Sequence, residues 1–149
     1  MKKRTCKECG AAGSFERKAH ELMVQVGRRL VSTRLVPFDR CSKCGYDEIP
    51  ADAYAMVEMR AALAVLLEPK AEVGGPEFRF ARKAMGLRQV DLAEALGVAP
   101  ETISRWETEA AVPAQHYRSA LAGLLQRTIT DIVGSDPLVE VRDLKPTGS

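Results

Sequence analysis

All four cysteines of the chain fall in two matching stretches, TCKECGAAG and DRCSKCGYD, each reading Cys-x-x-Cys-Gly. Cys6 and Cys9 precede Gly10, and Cys41 and Cys44 precede Gly45. A Cys-x-x-Cys turn brings two sulfurs to one point, and glycine takes most cheaply the left-handed backbone that such a turn often needs. Two turns facing each other offer four sulfurs to one tetrahedral ion, and zinc, with sulfur arms of about 2.3 Å, suits that set. The same cysteines also admit a dithiol redox switch or plain buried thiols. Four thiolates leave no open coordination position, so the expected ion is one structural Zn2+ and not a catalytic one. A front module of some seventy residues has a thin core, and a structural zinc adds about 10–16 kcal/mol of apparent binding free energy coupled to folding.

The chain between the pairs has to carry the second turn back to the first. In ELMVQVGRRLVSTRLVPF, Leu22, Val24 and Val26 alternate with Glu21, Met23 and Gln25, and Gly27 stands where a reversal is needed. This reads as a hairpin of two strands. Helix signals begin at Pro50, with Asp52 in the first turn. Met56, Met59, Leu63, Leu66 and Leu67 then recur at helical spacing until Pro69, a stripe that reads as core. The stretch EPKAEVGGPE, with two prolines and Gly74-Gly75, reads as a linker. The expected layout is a zinc-binding domain over 1–68, a linker over 69–76, a helical domain over 77–127 and a tail over 128–149. In the tail, LVEVRDL can form a short strand and KPTGS reads as frayed.

The helical segment FRFARKAMGLRQVDLAEALGVAPETISRWETE gives three helices. The first runs from Phe78 to Met85 and closes on Gly86. The second runs from Gln89 to Leu96 and closes on Gly97, and Pro100 opens the third. The three-residue connection GVA matches a helix-turn-helix. Ala93 is small where two helices cross, and Val90, Leu96, Val98, Ile103 and Trp106 are expected inside. At 100° per residue, Ile103 and Trp106 share one face of the third helix, and Glu101, Ser104, Arg105 and Thr108 share the other. That outer face suits a DNA groove, although an ordinary helical hairpin could also turn it to water. A further helix, AQHYRSALAGLL, offers Tyr117, Leu121, Leu124 and Leu125 to the helical core or to a dimer face.

Composition narrows the function. With 149 residues, 46% hydrophobic and 28% charged, the chain is globular. No run of eighteen apolar residues marks a membrane span, and the start MKKRTC has no apolar stretch behind it, as a secretory signal would. The cytoplasm is the expected compartment. Residues 1–45 hold eleven Lys and Arg against four Asp and Glu within a net charge of +2, which favours an anionic partner or simply a solvated basic face. No nucleophile–base set and no phosphate-binding glycine loop is present, so catalysis is not expected. His20 reads as an ordinary polar residue and not a fifth ligand, and His116 carries no role.

The pattern Q-x-x-L-A-x-x-L-G-V-x-x-x-T-I-S-R-W-E resembles the phage-repressor, or XRE/Cro-type, helix-turn-helix over residues 76–126. The whole layout up to about residue 126 resembles the MqsA/YgiT-type antitoxins of type II toxin-antitoxin systems. That resemblance implies an α+β chain: a small β-rich zinc-knuckle domain with a helix, then an all-α helix-turn-helix domain. It implies an N-terminal domain that binds a toxin protein, and a C-terminal domain that forms a homodimer on double-stranded operator DNA and represses its own operon. The implied DNA-contacting set is Arg88, Gln89, Glu101, Thr102, Ser104, Arg105 and Thr108, with Gln89 on a phosphate and Arg105 on base edges. Arg82 and Glu107 are implied as a supporting pair. The chain departs from the pattern at Glu101, where an antitoxin of this kind can carry asparagine for adenine. Glutamate accepts from cytosine instead. The alternative expectation is a zinc- or redox-responsive regulator with no toxin partner.

Overall fold

The computed structural model describes residues 4–133 and 140–146. Two long strands, β1 (Phe15–Val26) and β2 (Arg29–Cys41), pair antiparallel around the turn Gly27-Arg28. Val24 and Val26 are buried while Met23 and Gln25 are exposed, the alternation expected of a half-buried strand. β3 (Asp47–Glu48) pairs with the cysteine end of β2, and Asp39 lies opposite Glu48. A fourth strand, β4 (Glu140–Pro146), pairs antiparallel with β2 from Arg29 to Arg34. β2 is therefore central, with β1 on one side and β3 and β4 sharing the other. The expectation for LVEVRDL is met from Glu140 onward, whereas Leu138, Val139 and the last three residues of KPTGS lie outside the described residues.

Among the described residues, five helices stand between β3 and β4: α1 (Ala51–Leu67), α2 (Gly75–Ala84), α3 (Gln89–Leu96), α4 (Pro100–Glu107) and α5 (Gln115–Val133). The fold is α+β, an antiparallel sheet joined to an all-helical unit. α1 follows Pro50 directly and buries Met56, Val57, Met59, Ala62, Val65 and Leu66. Leu67 departs from the expected stripe and is 59% exposed, because a further 100° turns it out of the apolar face. The last turn of α1 has its carbonyls met from α5. The Arg118 guanidinium donates to the carbonyls of Leu66 (3.0 Å), Glu68 (2.5 Å) and Ala71 (2.9 Å). Helix ends leave such acceptors without intrahelical partners.

One hydrophobic core runs from Val24, Val26 and Val31 of the hairpin through α1 to Phe78, Leu92, Ile103, Trp106, Leu121 and Leu125. The stretch read as a linker contributes Ala71 and Gly75 to the buried interior. α2 begins at Gly75, three residues before the expected start, and α5 runs past Arg127 to Val133 with Ile129 buried. Glu77 explains the earlier start of α2. In the first turn of that helix its carboxylate accepts from the N–H of Gly74 (2.8 Å) and so fixes the entry to the helix. The same carboxylate accepts from the backbone N–H of Arg28 at the hairpin turn (2.8 Å) and from the Arg28 guanidinium (3.0 Å), with its side chain wholly buried.

Gly75 is small for a steric reason. A Cβ there would come within 1.8 Å of the Trp106 carbonyl oxygen, where the start of α2 meets the end of α4. Helix propensity alone favours alanine over glycine by about 1 kcal/mol. The collision reverses the sign, so Gly75→Ala is expected to destabilise by about 1–3 kcal/mol. A denaturant midpoint lower than wild type checks this, and a higher one would show that α2 and α4 are not in contact.

Candidate metal centre and nucleic-acid interface

The two Cys-x-x-Cys-Gly turns have the same geometry. The N–H of Gly10 donates to the Cys6 carbonyl (3.0 Å) and that of Gly45 to the Cys41 carbonyl (2.9 Å), with φ of +73° and +76°. The N–H of the residue after the second cysteine thus bonds a carbonyl and not a sulfur. The β1–β2 hairpin and the bridge between Thr5 and Ala12 carry the turns together. Cys6 and Cys41 are buried, Cys9 and Cys44 exposed, and all four sulfurs lie within 4.8 Å of one another. Cys6 Sγ is 3.7 Å from Cys44 Sγ, and Cys9 Sγ is 3.8 Å from Cys41 Sγ. These separations are far beyond the roughly 2.05 Å of a disulfide. They equal the edge of about 3.8 Å that a tetrahedron with zinc–sulfur arms of about 2.3 Å requires.

The electrostatics of the cluster point the same way. The backbone N–H groups of Cys44 and Lys43 face the Cys41 sulfur and lower its thiol pKa to about 6. At Cys44 the Tyr46 N–H pulls downward, but desolvation and the sulfurs of Cys6, Cys9 and Cys41 outweigh it and push the thiol up to about 12. Four thiols this close cannot all ionise unless a cation shares their charge. The set can hold one metal ion. Charged groups pair on the segments that carry it: Asp39, buried on β2, pairs with Arg4 and Arg17, and Glu48 of β3 pairs with Arg4 and Lys7. The Arg4 guanidinium also lies 4.2 Å from the centre of the Phe15 ring. Arg4, Lys7 and Arg17, three of the basic residues counted in 1–45, are therefore paired locally. His20 packs at a tilt against Phe38, with ring centres 4.3 Å apart, outside the sulfur cluster.

In the helical unit, Gly97 ends α3, and the Val98 N–H returns to the Ala93 carbonyl (2.9 Å) before α4 starts at Pro100. Ile103 and Trp106 are buried under α4, and Trp106 packs against Phe78 and Tyr117. Glu101 and Arg105 are exposed on the opposite face, where no hydrogen bond or ion pair engages either side chain among the described residues; Thr102 and Ser104 are half-buried beside them. The Thr108 hydroxyl donates to the Ser104 carbonyl (3.0 Å) and closes the helix. Arg88 precedes α3 and is held by Asp91 through two contacts of 3.0 Å. Arg82 grips Glu107 through both carboxylate oxygens (2.8 and 2.9 Å) and donates to the Leu87 carbonyl (2.8 Å). Gln89 shares Glu107 at 3.3 Å. The exception to the expected packing is Val90, 43% exposed next to Gln89, because it sits on the outer side of the first turn of α3.

Sequence reasoning missed Glu77, Arg28 and Arg118, whose partners lie dozens of positions away. An acidic residue in a first helical turn and arginines in a basic chain have local explanations that hide the distant ones.

Residues 78–132 match the helix-turn-helix family model. The match takes in all of α3 and α4, most of α2 and nearly all of α5. No curated protein matches the chain. The chain thus carries an XRE-type helix-turn-helix, a module of double-stranded DNA-binding regulators, joined to a four-cysteine cluster fit for a metal ion. Among the described residues no helix is long and apolar enough to cross a membrane.

Removal of one sulfur tests the cluster. Cys41→Ser is expected to lower bound metal, measured by atomic spectroscopy, from about one ion per chain to well below that, and to lower the unfolding temperature. His20→Ala is expected to leave metal content unchanged. Equal metal in the cysteine variant and the wild type would exclude the site.

Proposed function

We propose that the chain is a transcriptional repressor that reads its operator through α4, with one structural zinc fixing the sheet, and that it serves as the antitoxin of a toxin-antitoxin pair. The observation that carries the repressor reading is the outer face of α4. Glu101 and Arg105 stand exposed and uncommitted on a helix whose inner side is fixed by Ile103, Trp106 and the Arg82–Glu107 pair. Arg105 reaches guanine O6 and N7, and Glu101 accepts from cytosine N4. Thr102, Ser104 and Thr108 add short polar groups beside them. Arg88 and Gln89, at the start of α3, meet phosphates, where backbone N–H groups and the helix dipole favour an anion. One such helix discriminates by only about 1–3 kcal/mol for each good bidentate contact. Two copies on half-sites about 34–36 Å apart double that discrimination, so a homodimer through the helical unit belongs to the proposal.

Four thiolates in a tetrahedron select zinc or iron, and zinc is favoured because paired Cys-x-x-Cys turns with no open ligand position are the pattern of structural zinc sites. A colourless protein with zinc as its metal supports this, and a red iron form would replace it. The toxin half rests on the resemblance of the layout. In that reading the basic sheet module grips a small toxin encoded beside it, in the cytoplasm. If no short neighbouring reading frame arrests growth when expressed alone, the antitoxin half fails and the repressor half stands.

A second reading has its own observation: Cys9 and Cys44 are the exposed members of the cluster, open to an oxidant. A redox-responsive regulator would lose metal and change DNA affinity after mild peroxide treatment, and unchanged values would remove this reading.

The repressor reading is checked by fluorescence anisotropy on a duplex covering the DNA upstream of its own coding region. Arg105→Ala is expected to weaken binding by about tenfold to a hundredfold, the equivalent of one bidentate base contact. Equal affinity for an unrelated duplex, or an Arg105→Ala variant that binds as wild type does, would reject it.

A further inference from the structure

The hairpin turn of the metal module touches both ends of the DNA-reading apparatus. Gly27 and Arg28 form the turn between β1 and β2, and the turn seats on the first turn of α2. A Cβ on Gly27 would fall 2.1 Å from Glu77 Oε2, so the turn lies against the carboxylate with no space between them. The Arg28 backbone N–H and guanidinium hold the two Glu77 oxygens. Arg28 Nη1 also faces Glu109 Oε1 at 3.8 Å. Glu109 immediately follows Thr108, the residue that closes α4, and has φ of +63°. A residue with a side chain adopts that left-handed backbone only under strain. Two bonds hold the segment in this shape: the Glu109 N–H donates to the Trp106 carbonyl (3.0 Å) and the Ala110 N–H to the Arg105 carbonyl (2.8 Å). The Trp106 carbonyl is the atom against which Gly75 packs. Hairpin turn, start of α2 and end of α4 thus meet at one point.

We propose that Arg28 is a positioning residue for DNA reading: by linking Glu77 to Glu109 it fixes the C-terminal end of α4, and with it the pose of Arg105 and Glu101. The inference rests on the repressor reading. It makes the sheet module part of the reading head, so that a partner or metal loss that moves the hairpin turn changes operator affinity. Arg28 itself touches no DNA in this scheme.

Two variants separate this from a plain charge effect, using the full metal-loaded protein and the upstream duplex. Arg28→Ala is expected to weaken binding about fivefold or more, while the slope of log affinity against log salt stays that of wild type. Loss of a direct phosphate contact would instead reduce that slope by about 0.9. Glu109→Gln removes a negative charge on an exposed side chain, so electrostatics alone would tighten binding to DNA. Positioning predicts weaker binding. A reduced salt slope for Arg28→Ala, or tighter binding for Glu109→Gln, overturns the proposal, as does wild-type affinity in both. If the wild-type protein itself fails to bind the duplex, the repressor reading has failed and not the positioning role alone.

Discussion

The buried carboxylate of Glu77 is the contact on which the arrangement of the molecule depends. It starts α2, receives the hairpin turn from the sheet, and lies one turn from the crossing of α2 and α4. A carboxylate with no exposure is costly unless its oxygens are satisfied. Here Oε1 accepts from Gly74 and the Arg28 guanidinium, and Oε2 from the Arg28 backbone. A loss of either partner leaves a buried charge short of donors, so this contact opposes separation of the sheet from the helical unit.

The sulfur cluster does for the far end of the sheet what Glu77 does for the near end. The hairpin is long, and among the described residues it joins the main core through Val24, Val26 and Val31, away from its cysteine end. Its order there comes from four sulfurs and from the acids Asp39 and Glu48, each of which holds two basic side chains. Most of these basic partners are largely exposed, and exposed pairs stabilise little. The cluster and the cation it is built for supply the main cross-link, while the charged pairs set the register between the first turn and strands β2 and β3.

The features that the sequence disclosed are those written in short-range spacing. Two Cys-x-x-Cys-Gly turns, the alternation around Val24 and Val26, and the Gly97–Pro100 joint between two short helices each declare themselves within a dozen positions. Gly74-Gly75 misled the reading of this stretch, because paired glycines read as slack chain when one of them is a close approach to a carbonyl. Leu67 and Val90 were misplaced because apolar character gives no direction at the end of a helix. Arg118 and Arg28 were invisible as structural residues, since their partners are carbonyls and a carboxylate supplied by remote segments. The outer face of α4 is legible from angular spacing alone, but the commitment of Arg88 to Asp91 and of Gln89 to Glu107 is set by side-chain geometry that spacing does not carry.

Strand β4 carries a consequence for how the chain is made. It supplies part of one side of β2 and is translated after all five helices, so during synthesis the Arg29–Arg34 edge of the sheet emerges long before its neighbour. An open strand edge is a template for pairing with other chains, and a contact between such distant positions closes slowly. The interval between the birth of β2 and the arrival of β4 is therefore when a nascent copy is most open to pairing with the wrong strand.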